Sequence, residues 1–350
     1  MQTDEGLSER QFRVLEGAIQ IYIQSAQPAG SEAVARRSRL GLSAASVRST
    51  MGELEAKGYL FHAHTSGGRI PTERGYRTYV NRLMRPAPVP RSARERLEQE
   101  IAPSGRNPIE EILRRAAQVL GVLTQELGVA VAPTLDLLIL ERLELVRVNS
   151  ERLLAVLTLQ SGLVRTIFVE VPAAVAPEAV EHVSRILNER LAGHPLGEIR
   201  GSLSERLRDA GGTGPEGSGG KELLNIFVAE GEDLFDLRDP DSDMVLGSAQ
   251  PLAEQPEFAS NERMRSLLDL TERRDVLRKA FEDRHRGGLT ITIGAENDDP
   301  RLSDFTLVTS SYRRGGLSGV IGVMGPTRMP YEKVIGLVEH TSRMLEGLMS

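Results

Sequence analysis

The 350 residues suffice for two or three domains, and a 40% hydrophobic content with a mean hydropathy of −0.24 describes a soluble globular chain. No apolar run reaches the ~18 residues of a membrane span, and the opening MQTDEGLSER is too polar for a signal peptide; the lack of cysteine excludes disulfides, thiolate metal sites and cysteine nucleophiles and fits the cytoplasm. The net charge of −6 divides unevenly: residues 1–86 carry 12 Lys/Arg against 8 Asp/Glu, net +4, and the remainder 31 against 41, net −10, so a polyanionic partner is expected for the first segment alone.

In chain order, Ser8 with Gln11 three residues on forms a capping box, and Phe12, Leu15, Ile19, Tyr22 and Ile23 recur at helical spacing. QPAG (27–30) stops that helix. Ser31 caps a second, short helix running through Arg37, with Gly41 as its exit. Ser43 caps a third that runs to about Lys57 and ends at Gly58. Three helices with a tight turn between the second and third predict a helix-turn-helix. YLFHAH, then TSGG, then RIPT predict a two-stranded hairpin with its tip at Ser66–Gly68, and Thr72 caps a further helix. Helices followed by a hairpin predict a winged helix. A P-loop reading of the glycine pair fails, because no hydrophobic strand leads into a glycine-rich helix start there.

RPAPVP (85–90) cannot continue a helix and predicts a linker. An amphipathic helix follows over 108–127 through Ile109, Ile112, Leu113, Ala116, Leu120 and Leu123. Strands are expected in LLILERLELVRV, RLLAVLTLQ and LVRTIFVEV, and a helix in APEAVEHVSRILNERL. Residues 173–287 read as mostly helical, with GGTGPEGSGG (211–220) as a flexible loop; strands resume in LTITIG, FTLVTSSYR and SGVIGVMG before a last helix. The expected class is α+β. Its expected parts are a DNA-binding domain over 1–86, a second domain over 87–172 and 288–350, and an inserted, largely helical domain over 173–287.

On the third helix, Val47, Met51 and Leu54 fall on one side and face the core. Ala45, Ser46, Arg48, Ser49 and Gly52 fall on the flanks and the opposite face, without an acid among them. A small, polar, arginine-bearing face suits a major groove, where arginine donates to guanine and hydroxyls reach base edges or phosphates. His64, Thr65, Ser66 and Arg69 in the hairpin, Ser43 at the helix start, and Arg36, Arg37 and Arg39 near the end of the second helix complete the expected DNA footprint, with Arg69 on phosphate or a narrow minor groove. An ordinary solvated helix face is the competing reading.

Other motifs lead away from catalysis. The six histidines show no H-E-x-x-H or other helical ligand pair, so no zinc or other metal site is expected, and together with the broken motifs below no cofactor or catalytic residue is expected either. PEGSGGKE has Pro215 where a P-loop needs its first glycine and Glu222 where Ser or Thr must hold Mg²⁺. GGLSG (315–319) lies between strands as a turn, and GPTRM (325–329), whose backbone amides could hold an anion, better suits a turn ahead of a proline-started helix.

The stretches AGSEAVARRSRLGLSAASVRSTMGELEAKGYL and HTSGGRIPTERGYRTYV, with ILNERLAG, LAEQPEF, ITIGAEN and GVIGVMGPTRMPYEKVI, resemble the HrcA family of heat-inducible transcription repressors across nearly the whole chain. The resemblance implies a winged helix, a GAF-like domain and an inserted domain that supports a homodimer. It also implies binding to an inverted-repeat operator called CIRCE upstream of chaperone operons, and activity maintained by the GroE chaperonin. Glu32, Ser49, Thr50 and Gly67 depart from residues usual in the family. Two other classes stand beside this reading: a winged-helix regulator whose GAF-like domain senses a metabolite, and a nucleotide-using enzyme.

Overall fold

The computed structural model describes residues 6–38, 41–62, 67–85, 87–101, 109–132, 138–160, 162, 164–172, 175–208, 217–235, 244–282, 284, 288–314 and 317–348. It is a mixed α+β chain that divides into two compact units. One comprises 1–132, 244–312 and 319–350; the other comprises 133–243 with 313–318.

The first unit begins with α1 (Glu9–Ser25), α2 (Ser31–Ser38) and α3 (Ala44–Ala56). The expected capping box forms at Ser8 and Gln11, and Ser43 caps α3 by accepting from the Ser46 amide. β1 (Leu60–His62) and β2 (Arg69–Pro71) pair antiparallel, Leu60 opposite Pro71 and His62 opposite Arg69. Thr72 then caps α4 (Glu73–Thr78), which continues as one wider π-type turn over Tyr79–Leu83.

After α5 (Arg91–Ile101) and α6 (Ile109–Thr124), β3 (Leu127–Val131) enters a five-stranded sheet. Its other members are β7 (Met244–Leu246), β8 (Leu289–Ile293), β9 (Phe305–Arg314) and β10 (Leu317–Pro326), in the order β7-β3-β10-β9-β8. β3 is buried throughout, as a central strand covered on both faces must be. Leu127, Val129 and Val131 join one apolar cluster with Leu252, Leu267, Leu277 and Phe281 of α10 (Gln250–Ala253), α11 (Asn261–Glu272) and α12 (Arg274–Glu282). Ala130 faces the other way, into a cluster with α6 and α13 (Tyr331–Leu348). That second cluster runs without a break into Val14, Leu15, Val47, Leu54, Tyr76 and Tyr79, so the N-terminal helices share their core with the sheet's helical layer.

The second unit holds β4 (Leu140–Arg147), β5 (Arg152–Leu159) and β6 (Val164–Glu170) as a separate antiparallel sheet, with α7 (Pro177–Leu191), α8 (Leu196–Leu207) and α9 (Gly217–Leu234). Leu143, Leu153, Leu157 and Val169 turn toward the helices. On the other face, Val146 stands opposite Leu154 and Leu154 opposite Phe168, and Val146, Val148, Val164 and Phe168 are exposed.

These units depart from the expected boundaries. The compact insert is 133–243, not 173–287, and 1–86 does not separate from the sheet. The reason is pairing: β4–β6 find their partners among themselves, and the short β7 returns the chain to β3. The glycine-rich run also differs, since residues 217–220 open α9, while 211–216 lie outside the described residues.

Candidate nucleic-acid interface

Helix α3 shows the expected two faces. Val47, Met51 and Leu54 are buried, whereas Ser43, Ala45, Arg48 and Ser49 are exposed and Ser46 is half-buried. Thr50 is buried as well and accepts from Arg10 Nε at 2.9 Å, which removes it from the outward face. The Ser43 hydroxyl is also committed: it accepts from the Ser46 amide at 3.2 Å and donates to Ser46 Oγ at 3.1 Å. What remains outward is a shallow surface of small residues with one long cation. Such a face lets a helix approach a groove closely while one guanidinium reaches ahead.

The acids of α3 are tied back from that surface. Glu53 accepts from Gln11 Nε2 at 2.7 Å, and Glu55 pairs with Arg69 at 2.7 Å. Their charge is therefore partly answered within the fold, which favours an anion at the opposite side.

The arginines fall into two groups, those left outward and those bonded within the fold. Arg36 and Arg48 are exposed, and no hydrogen bond or ion pair joins either to another described residue. Arg37 is exposed yet donates to Gln20 and Gln24, both at 2.9 Å, and so ties α2 to α1. Arg69 is mostly covered. Beyond Glu55 it reaches His62 Nδ1 at 2.9 Å, and its backbone exchanges two hydrogen bonds with Ala29. The sequence suggested phosphate or a narrow minor groove for Arg69; its neighbours also tie it into the base of the hairpin. Gly68 has a matching local cause, because a Cβ there would lie 2.7 Å from the Pro28 side chain. This glycine lets the hairpin close on its own domain. His64, Thr65 and Ser66, with Arg39, lie outside the described residues.

Two residues that sequence reasoning missed organise the surface. Arg10 donates to the Ser46 carbonyl at 2.9 Å as well as to Thr50, clamping the first turns of α3 to α1. Arg74 donates to the Lys57 carbonyl at 2.9 Å and stacks over Tyr59 at 4.4 Å, closing the C-terminal end of α3. Neither carries a local signal, since each bond joins residues well separated in the chain.

Among known proteins, the family model described as the HrcA protein C-terminal domain matches residues 110–335. The chain is 37% identical over 354 residues to the heat-inducible transcription repressor HrcA of Chlorobium phaeobacteroides (strain BS1), covering 98% of this chain and 99% of that one. It is 35% identical over 350 residues to the protein of the same name from Geobacter sulfurreducens, covering 97% and 99%. A crystal structure of a hypothetical protein shares the fold with a TM-score of 0.57 at 22% identity, over 98% of this chain and 99% of that one.

Proposed function

The chain belongs to the HrcA family of heat-inducible transcription repressors, and from that premise we propose that α1–α3 with the β1–β2 hairpin act as a winged helix whose α3 enters the major groove of an operator. One observation carries the reading: α3 turns Ala45, Arg48 and Ser49 outward while both of its acids are bonded within the fold. Arg48 then reads a base edge and Ser49 lies beside it. Arg36 neutralises phosphate, Arg37 and Ser43 sit at its margin, and Ser46, His64, Thr65 and Ser66 extend the contact along the backbone.

A single α3 covers about one groove face, so an inverted repeat of the CIRCE type calls for a homodimer. The second unit, with its outward Val146, Val164 and Phe168, suits the dimer contact, and the five-stranded sheet with its helices takes the place of the GAF-like domain. GroE chaperonin keeps the protein competent, and misfolded proteins compete for it after heat. The test is a gel shift with a CIRCE-type duplex at fixed salt, after mild heating, with and without chaperonin. The expected result is specific binding that chaperonin restores. Equal affinity for the inverted repeat and a scrambled duplex would remove the operator reading, and equal recovery in both arms would remove the chaperonin.

A further inference from the structure

The N-terminal helices meet the rest of their unit through two arginines that point in opposite directions. Arg77, on α4, lays Nε and Nη2 on the two carboxylate oxygens of Glu296, and Nη2 also donates to the Ile291 carbonyl at 2.8 Å. One turn earlier, Glu73 accepts from the Ala295 amide at 3.2 Å. Gly294 makes this possible twice over: its φ is +58°, and a Cβ there would lie 2.0 Å from a Glu73 carboxylate oxygen.

Arg328, between β10 and α13, works from the other side. Nε and Nη2 grip Glu257, and Nη1 donates to the Ile23 carbonyl at 2.8 Å. Ile23 sits in the last turn of α1, where helix carbonyls lack partners within the helix and carry the negative end of its dipole. A residue of the sheet-bearing part thus caps the first helix of the N-terminal part. The side chains of Arg328 and Glu257 are only 13% and 14% exposed, so salt screens this pair weakly. Between the two arginines Tyr76 packs on Tyr331 with ring centroids 5.9 Å apart, and Tyr79 donates to Glu332 at 2.8 Å.

One contact would leave a swivel. Anchors on α1 and on α4, with the tyrosines between them, fix rotation as well as distance. Planar, two-pronged arginine pairs are the ion pairs that hold angle best. We propose that Arg77 and Arg328 are positioning residues for operator binding. They set the orientation of α3 relative to the sheet, and hence, in the dimer, the separation at which two α3 helices meet two half-sites. This rests on the dimeric, inverted-repeat reading above. The GPTRM turn thereby gains a role, since Arg328 within it is the fastening point of the DNA-binding part.

The experiment uses the whole 350-residue chain and gel shifts on CIRCE-type duplexes whose central spacer is lengthened or shortened one base pair at a time, beside a duplex with a single half-site. The variants are R77M and R328M/E257Q, the second chosen so that no unpaired carboxylate stays buried, with R77K and R328K as milder forms. Wild type is expected to favour one spacing by about tenfold or more over neighbours, since helical phase is lost within a few base pairs. In the variants that preference should shrink to roughly threefold or less, while half-site binding and the sedimentation of the dimer stay as in wild type. R77K and R328K should fall between, because lysine keeps the charge without the fork. Should one anchor's variants fail to fold, the other anchor's give the same readout. Variants that keep the wild-type spacing preference overturn the inference and leave the dimer reading standing. A wild type that is monomeric or indifferent to spacing overturns that reading, and the inference with it.

Discussion

Arg69 Nε lies 2.7 Å from Glu55 Oε2, so one ion pair joins the base of the hairpin to the last turn of α3. The pair is partly exposed, and its loss should cost no more than ~1 kcal/mol of stability. R69A and E55Q are both expected to weaken operator binding by letting the hairpin tilt. The swapped variant R69E/E55R separates bracing from phosphate contact: recovery of binding supports a brace, whereas binding weaker than in R69A shows that position 69 meets phosphate.

Arg48 and Arg36 should behave differently from one another. R48A is expected to lose ~1–3 kcal/mol of operator binding and to discriminate less at one base position, with an unchanged melting temperature. R36A should weaken all duplexes alike and reduce the salt slope of binding by about one. Titrations at several salt concentrations with specific and scrambled duplexes check both.

Glu126, at the entry to β3, is 1% exposed. Burial holds its carboxyl well above the usual carboxylate range, opposed by the hydrogen bond from Gln255 and by the charge of Arg328. An acid whose value is raised on folding contributes most below its unfolded value, and that contribution is lost as pH rises toward the folded one. E126Q, which stays neutral and still accepts from Gln255, should therefore be more stable than wild type in mildly alkaline buffer, with the difference vanishing in acid. Melting curves across that range would show it; parallel curves for the two proteins contradict a protonated Glu126.

The outward face of the β4–β6 sheet is the place to probe self-association. Phe168 is 62% exposed on it and pairs across to Leu154. F168D should shift sedimentation toward the monomer, with little loss of fold because the buried face of the sheet is untouched. A variant that stays fully dimeric would exclude this face as the main contact.

What is legible in the chain follows from local chemistry. Ser8, Ser43 and Thr72 cap helices where a short hydroxyl precedes a periodic run, and Val47, Met51 and Leu54 take the inner face of α3. The features that stay hidden are decided at long range. LGVAV (127–131) carries no alternation because both its faces are covered, so as a sequence it merges with the preceding helix. β4–β6 show their period plainly, but a period says nothing about which sheet a strand joins. Residue type and hairpin context both direct Arg69 to DNA; its ion pair with Glu55, fourteen residues away, has no local signal in the sequence.

The prolines over 85–90 invite a cut that would isolate α1–α4 and the hairpin, yet the packing speaks against it. Ala87 donates to the Glu332 carbonyl at 3.2 Å, and Tyr76 and Tyr79, both almost wholly buried, owe part of their cover to Tyr331 and Glu332. A fragment ending at residue 86 would carry both phenol rings with that cover stripped away and would leave the Ile23 carbonyl without its arginine. Such a fragment is expected to be poorly soluble and to need detergent or a fused carrier. A well-behaved piece that carries α1–α4 therefore includes residues from both ends of the chain.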